Sequence, residues 1–218
     1  MLGFAIVVAA AAVSLPSVRL VETTQDAAVR PMVDTQANAL VQRLRPFPTP
    51  MGVRADGSLS SIEHQRRELF RQLRRLKVSA VPELARALSD PDVQMRRNVA
   101  PALGALGSWW FDGSTARVDI RGALPALITA LEDPDCSVRV WAAQAVGEVG
   151  PDAIQAVPAL VVLLRNTDVG SASSACIALH HIGAGAKPAL PALETALRDP
   201  SSDVRRFAQL AIVRIRTP

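Results

Sequence analysis

Three histidines and two cysteines are the side chains of this 218-residue chain best suited to holding a metal ion or attacking a substrate. His180 and His181 are adjacent, and adjacent helical residues point about 100° apart, so this pair cannot chelate one ion. His64 has no partner at a ligand spacing, because the sequence contains no His-x-x-x-His, Cys-x-x-Cys or His-Glu pair. Zinc sites in proteins need three or four such ligands. We therefore predict no metal site and no cofactor.

The two cysteines are predicted to be neither a disulfide nor a nucleophile. In the repeat pattern set out below, Cys136 opens one helix and Cys176 lies in the middle of the next comparable helix. That offset is about 10 Å along the axis, with a further ~8–10 Å between helices. A disulfide needs Cα atoms less than about 7 Å apart. Neither cysteine has a nearby basic pair that would favour its thiolate.

Catalytic serines and phosphate-binding loops are also missing from the sequence. Val169–Ser174 (VGSASS) is predicted to begin a helix rather than to form the G-x-S-x-G turn that exposes a catalytic serine. The glycines fall mostly where helices should stop, not in a loop that could cradle phosphates. We predict that the protein is not an enzyme and has no catalytic residues.

The strongest pattern in the sequence is an internal repeat. The first proline of each unit is Pro82, Pro125, Pro158 or Pro191, which gives periods of 43, 33 and 33 residues. A fixed period in this range indicates stacked supersecondary units. We place the units at residues 80–107, 123–150, 156–183 and 189–216.

Each unit is predicted to be a pair of helices, A and B. In the second unit, Pro125 suits the first turn of helix A, where its missing N–H has no partner to lose. Asp133 is predicted to cap helix B, and Gly150 is predicted to end it in a left-handed conformation. An apolar stripe runs along helix B, through Val138, Ala142, Ala145, Val146 and Val149. One such hairpin cannot cover its own apolar faces, so neighbouring units must stack.

These units resemble HEAT repeats, including the repeats of phycobilisome lyases. The resemblance rests on the proline of helix A, the Asp-Pro turn and a Val-Arg pair early in helix B, as in Val138-Arg139 and Val204-Arg205. It covers roughly residues 60–216. It implies an all-α, right-handed α-solenoid of stacked antiparallel helix pairs, with A helices on the convex side and B helices on the concave side. It implies little about function.

The chain before the repeats is predicted to have three parts. Residues 1–18 include the apolar run Gly3–Leu15, which fits the core of an export signal better than a spanning helix of about 20 residues; a membrane anchor is the alternative. Residues 19–60 look like a tether with a Pro/Gly loop, and residues 32–44 within it could form a helix. The pattern at 61–77 resembles a B helix and opens the solenoid, residues 61–218. Segment 32–44 would then be either its A partner, as a diverged cap, or a linker that covers the end.

An insertion at residues 108–122 explains the long first period. It contains Trp109, Trp110 and Phe111 in a predicted loop. Insertions into solenoids often lie on a binding face, and loop aromatics are good anchors for partners. Alternatively, these side chains fold back over the apolar groove between two repeats.

The charge is moderately basic, at +4 with a pI of about 10.0. Basic residues concentrate on the predicted helix at 61–77. They are Arg66, Arg67, Arg71, Arg74 and Arg75. These side chains could bind an anionic surface, or they could simply face water. In HEAT-like arrays the arginine early in helix B pairs with acidic residues of neighbouring turns. We therefore expect Arg96, Arg139 and Arg205 to form a structural ladder, for which Asp92, Asp135 and Asp203 are available nearby.

The side of the B helices that does not face the core is the predicted groove. Its candidate partner-binding residues are Arg97, Asn98, Trp141, Gln144, Ile177, Arg206 and Phe207, with Pro101, Ser174 and Leu210 beside them. Pro101 is expected to kink or interrupt its helix. Trp141 lies one step off the apolar stripe, so it is either a groove anchor or a side chain packed sideways into the core.

The function predicted from the sequence is a monomeric, non-catalytic scaffold that binds a protein or peptide through this groove and residues 108–117. An export signal or anchor would place the protein outside the cytoplasm or at a membrane. If the segment is not a signal, the protein is expected in the cytoplasm. One alternative is a lyase-type chaperone or assembly factor like the phycobilisome-lyase HEAT proteins. A HEAT-like nucleic-acid binder is the other, if the protein is cytosolic, but we do not expect nucleic acid because Asp168–Gly183 has no Lys or Arg.

Overall fold

The computed structural model describes residues 34–47, 61–108, 117–165 and 168–217, and all regular structure in these ranges is helical. The all-α prediction is therefore confirmed. The predicted export signal and the aromatic side chains Trp109, Trp110 and Phe111 lie outside the described residues. We number the helices α1 (34–42), α2 (Ser61–Arg75), α3 (Val81–Ala87), α4 (Val93–Gly107), α5 (Leu124–Ala130), α6 (Cys136–Val149), α7 (Val157–Leu164), α8 (Val169–Ile182), α9 (Leu190–Ala196) and α10 (Ser202–Arg216).

Helices α3 to α10 form four A/B pairs, at 81–107, 124–149, 157–182 and 190–216. Each A helix has a proline in its first turn, and Gly150 and Gly183 follow two of the B helices with φ of 72° and 67°. The predicted cap Asp133 is wrong by two residues. Asp135 is the N-cap of α6 and accepts from the Val138 N–H at 3.2 Å, while the Asp133 carboxylate accepts from the Asp135 N–H at 2.8 Å. Both aspartates suit a cap, and the turn geometry selects the second.

The B helices α4, α6, α8 and α10 pack side by side as one layer. The predicted stripe of α6 is the core of this layer, because Val138, Ala142, Ala145 and Val146 are fully buried. Gly147 allows a close approach of α8, since a Cβ there would lie 3.4 Å from the Ala178 Cα. Small residues thus let consecutive B helices share a continuous apolar core.

The N-terminal helices cover the open side of the first unit. Helix α1 lies within the predicted segment 32–44, and Ala37, Val41 and Leu44 are buried against the array. Helix α2 ends beside the end of α4, where Arg74 donates to the Ser108 carbonyl at 2.7 Å.

Helix α4 is one continuous helix across Pro101, so the expected interruption does not occur. Pro101 is buried among neighbouring helices rather than exposed in a groove. Tertiary packing holds the helix together where a proline removes one of its hydrogen bonds.

Within the described ranges, one helical run, Cys136–Leu164, is long and apolar enough to cross a membrane, with a mean hydropathy of 1.3. It is not one straight helix, because the backbone turns at Gly150 with φ of 72° between α6 and α7. Its buried apolar residues, such as Val146 and Leu160, belong to the core of two repeats.

Candidate partner-binding surfaces

The outward side of the B layer, which we call the B face, carries partly exposed apolar side chains. Trp141 and Phe207 pack against the core without being fully buried, and Leu210 is 49% exposed. Gln144 and Ile177 occupy the same position in their repeats as Leu210 does in the last one, and both are partly exposed. Trp141 is therefore both a core contact and an accessible surface.

The last B helix adds a cation to this face. Arg206 lies over the Phe207 ring at 4.6 Å from the ring centroid. Its side chain is 65% exposed and forms a long ion pair of 3.8 Å with Asp203. The guanidinium is thus available to an acidic or aromatic group of a partner.

Three residues predicted to line the groove do not do so. Asn98 is 1% exposed, and its amide nitrogen donates to the carbonyls of Leu44 at 2.8 Å and Phe47 at 2.9 Å. Pro101 and Ser174 are buried as well. The segment after α1 covers Asn98 on α4, whereas the equivalent Trp141 and Phe207 are partly exposed.

Arg97 is engaged in an ion pair within the array. Its Nε donates to the Asp135 carboxylate at 3.0 Å, and this hydrogen bond lowers the pKa of Asp135. Its side chain is 33% exposed. Arg97 therefore joins two units and presents only part of its guanidinium to solvent.

The predicted basic surface on α2 is corrected in two places. Arg66 is 2% exposed and lies over the Phe47 ring at 5.6 Å, and Arg74 is 9% exposed and donates to backbone carbonyls at the end of α4. Arg71 pairs with Glu68 at 3.0 Å, while Arg67 and Arg75 are exposed. The two buried arginines fill the interface at the N-terminal end of the array. They can do so because a long side chain packs its methylene groups against the apolar surface beside it.

The arginine ladder is present for two of its three predicted members. The Arg96 Nε donates to Asp133 at 2.7 Å, and Arg139 contacts Asp168 at 3.2 Å. Each acceptor is an aspartate of the next unit, and neither is one of the expected Asp92, Asp135 and Asp203. Both arginines also donate to carbonyls of their own turn. Arg205 makes only the own-turn contacts within the described residues, to the carbonyls of Asp199 and Pro200 at 2.7 Å.

In the described part of the chain, the side chains that could act as nucleophiles or metal ligands do not form a cluster. Among the described residues, no group of three His, Cys, Asp or Glu side chains could hold a metal ion. Both cysteines are free, and burial, with a smaller effect of Asp199, raises the pKa of Cys176 to about 12. His180 and His181 each place Nδ1 near a backbone carbonyl, of Leu210 at 3.3 Å and Gly147 at 3.2 Å.

Sequence reasoning missed the contacts of the segment 43–47. Arg45 pairs with Asp90 at 2.7 Å and Asp92 at 3.1 Å, and Gln94 donates to the Phe47 carbonyl at 2.7 Å. These partners are more than 40 residues apart in sequence, so no local pattern shows them. The single available signal is that Asn98 is polar at a position where later units have an aromatic or a small residue.

Comparisons with known proteins agree with this architecture. A family model described as HEAT repeats matches residues 124–213. The chain is similar to a solved complex of CpcE and CpcF of phycocyanin lyase from Nostoc sp. PCC7120, with 30% identity and a TM-score of 0.56 over 79% of this chain and 70% of that chain. It also shares its fold with a designed armadillo repeat protein in complex with the peptide (KR)4, at 18% identity and a TM-score of 0.55, over 90% of this chain and 95% of that chain. No curated protein matched the sequence.

Proposed function

Because the chain belongs to the HEAT-repeat family, we propose that it is a non-catalytic, monomeric scaffold that binds a protein or peptide partner across its B face. The observation that carries the proposal is the partly exposed Trp141 in a fold whose core does not require it. The equivalent residues of the other B helices are Asn98, Ser174 and Phe207. Core packing alone thus accepts an amide, a hydroxyl or a second aromatic at this position.

The chemistry of the B face suits an extended peptide or a helix. Trp is among the residues most enriched at binding hot spots, where a few aromatic and Arg side chains supply most of the affinity. Trp141, Phe207 and Leu210 provide apolar contacts, and Arg206 provides a cation beside them. The related solenoid that binds the peptide (KR)4 supports a peptide as the class of partner.

The test compares partner affinity with folding stability in one variant. Partners are captured with the full chain, identified, and titrated calorimetrically against the wild type and Trp141→Ala. We expect a loss of at least about 2 kcal/mol in binding free energy. The melting temperature should change little. Val162→Ala, which removes a 61% exposed side chain from helix α7, is the control and should leave affinity unchanged.

The opposite result would remove Trp141 as the main evidence for the proposal. If Trp141 acts only as core, truncation costs about 3–5 kcal/mol of stability and leaves affinity per folded molecule unchanged. Deletion of residues 109–116 tests the second proposed anchor, Trp109, Trp110 and Phe111. If the loop contributes to binding, the deletion should lower the affinity for the same partner.

A lyase-type chaperone or assembly factor is the second candidate function. The similarity to the CpcE and CpcF complex of phycocyanin lyase favours it. The experiment is a titration of the full chain with a bilin, followed by its visible absorption. A saturable spectral shift would support this role, and an unchanged spectrum with a captured peptide partner would support the scaffold alone.

We also propose that the protein is exported or tethered to a membrane, on the basis of the apolar run Gly3–Leu15. Fusing Met1–Arg30 to a reporter should move the reporter to the membrane or across it. A soluble, cytosolic reporter would contradict this proposal and make a nucleic-acid partner worth testing by mobility shift. The absence of Lys and Arg from helix α8 argues against such a partner.

A further inference from the structure

Helix α10 carries more positive charge than its surroundings neutralise. It contains four arginines and one aspartate. Arg216 pairs with Glu194 at 2.6 Å, and Arg205 donates to two carbonyls of its own turn. The other two arginines, Arg206 and Arg214, are both exposed. Positive charge is therefore left on the side of α10 that faces solvent.

Neither of these two arginines has a strong acidic partner within the described residues. Arg206 and Asp203 are 3.8 Å apart and both are mainly exposed, so this pair contributes little to stability. No acidic side chain in the described ranges pairs with Arg214. The Arg214 side chain lies beside the end of α8, because a Cβ at Gly183 would be 3.8 Å from its Nε. An incoming carboxylate can thus pair with either guanidinium without breaking a buried ion pair.

Leu210 lies between the two arginines on the B face. Residues 206, 210 and 214 are four apart, so their side chains form one ridge, inclined by about 26° to the helix axis. At a rise of about 1.5 Å per residue, successive side chains of this ridge are roughly 6–7 Å apart. Leu210 is 49% exposed, and Val213 in the next turn is 53% exposed. The ridge is thus an apolar surface with a guanidinium at each end.

The spacing of this ridge matches alternate residues of an extended polypeptide. In an extended chain, residues i, i+2 and i+4 point to the same side and are about 6.6 Å apart. Three such side chains can therefore lie opposite Arg206, Leu210 and Arg214. A partner helix fits this row less well, because the ridges of two packed helices interdigitate rather than face each other.

We propose that the B face binds an acidic, extended segment of a partner protein, with the pattern acidic-x-apolar-x-acidic placed along Arg206, Leu210 and Arg214. The two carboxylates pair with the guanidinium groups, and the apolar side chain packs on Leu210 and Val213. This inference rests on the proposed function of the B face. It adds the charge and the conformation of the segment that binds there.

Phe207 prepares Arg206 for this role. The Arg206 guanidinium lies over the Phe207 ring, 4.6 Å from the ring centroid. A guanidinium over a ring can still donate to a carboxylate, because its N–H groups lie in its own plane. The net charge of +4 on the whole chain also favours an acidic partner over a basic one.

The experiment is an NMR titration of the full chain with blocked pentapeptides. The probe is Glu-Ser-Leu-Ser-Glu, its neutral counterpart is Gln-Ser-Leu-Ser-Gln, and its basic counterpart is Lys-Ser-Leu-Ser-Lys. We expect the acidic peptide to shift the amide signals of 206–214 and to bind at least about threefold more tightly than the neutral one at low ionic strength. The basic peptide should bind most weakly. The differences should shrink in about 0.5 M salt, because exposed charge pairs are screened.

The outcomes separate this inference from the proposed function. Equal binding of the three peptides at α10 would overturn the charge pattern and leave a peptide-binding B face standing. No binding of any peptide at millimolar concentration would also overturn the inference, whereas Trp141→Ala and the captured partner still decide the proposed function. Equal binding of Glu-Ser-Ser-Ser-Glu would show a general anion site and contradict the role of Leu210. Tighter binding of a short DNA duplex at the same signals would overturn the protein partner.

Variants of α10 make the test specific. Arg206→Gln and Arg214→Gln should each lower the affinity for the acidic peptide at least about twofold and leave that for the neutral peptide unchanged. Arg205→Gln is the matched control and should have a smaller effect, because Arg205 donates to its own turn. Leu210→Ala should weaken the binding of all three peptides. An unchanged preference for the acidic peptide in the double variant of Arg206 and Arg214 would contradict the proposal.

Discussion

Lys77 follows helix α2 with a φ of 53°, the one non-glycine residue in the described ranges with a positive φ. Glycines occupy the corresponding helix stops in later units, as at Gly150 and Gly183. A left-handed conformation costs a non-glycine residue roughly 1–2 kcal/mol, because its Cβ approaches the following carbonyl.

The first prediction is that Lys77→Gly stabilises the protein. Relief of the backbone strain should exceed the extra entropy of the unfolded glycine, for a net gain of up to about 1 kcal/mol. Urea unfolding measures this difference. Lys187→Gly, at an exposed position without a positive φ, is the control and should destabilise or be neutral. A loss of stability in Lys77→Gly would contradict the strain argument.

The second prediction concerns the two thiols. Cys136 is exposed, whereas burial raises the pKa of Cys176 to about 12. Iodoacetamide at pH 8 should label one thiol in the native chain and two in denaturant. Because the unfolded thiol ionises above about pH 8.5, the contribution of Cys176 to stability should fall as the pH rises from there toward about 12. Rapid native labelling of Cys176 would show that its helix opens locally.

At the scale of elements, the ladder arginines Arg96 and Arg139 connect helices α4 and α6 to the turn of the next unit. Arg139 donates to its own turn, to Ser171 at 3.2 Å and to Asp168 at 3.2 Å, with 13% of its side chain exposed. Arg205 makes only the own-turn contacts within the described residues. The same residue type therefore has two different environments in one protein.

The third prediction is that Arg139→Ala costs more stability than Arg205→Ala. Removing Arg139 leaves half-buried acceptors on two units without their charged donor, which should cost about 1–3 kcal/mol. Removing the exposed Arg205 should cost no more than about 1 kcal/mol. Thermal unfolding of the two variants gives the comparison. Equal losses would mean that the contact within the turn, rather than the contact between units, supplies the stabilisation.

At the scale of the whole molecule, the segment 34–47 closes the first unit. Asn98 holds its backbone at Leu44 and Phe47, and Arg45 pairs with the first Asp-Pro turn. Solenoids need such atypical ends, because a repeat without a neighbour exposes its apolar side.

The fourth prediction is that Asn98→Ala loosens this end of the array. The buried carbonyls of Leu44 and Phe47 lose their donor, at a cost of about 1–3 kcal/mol. Limited proteolysis should then cut near residues 34–47 before the repeats are lost. Gln144→Ala, at a partly exposed position of α6, is the control and should resist cleavage like the wild type. Unchanged proteolysis of Asn98→Ala would show that apolar contacts alone hold the segment.

The sequence by itself determined the repeats, because their signals are local. Pro125 restricts the first turn of an A helix, Gly150 permits a positive φ, and the spacing of Val138 and Ala142 marks the buried side of α6. Each of these acts within a few residues of the chain. The HEAT architecture follows from them, since a two-helix unit must stack to bury its apolar sides.

Only the tertiary structure decided which polar side chains are available to a partner. Asn98 and Arg66 look exposed in a helical pattern, but both are buried by chain segments that are distant in sequence. Which arginines cross between units is also seen only in the structure, because Arg139 contacts Asp168 of the next unit whereas Arg205 contacts only its own turn within the described residues. Burial depends on what packs against a residue, and the identity of that neighbour is set by contacts between units rather than by the repeat pattern.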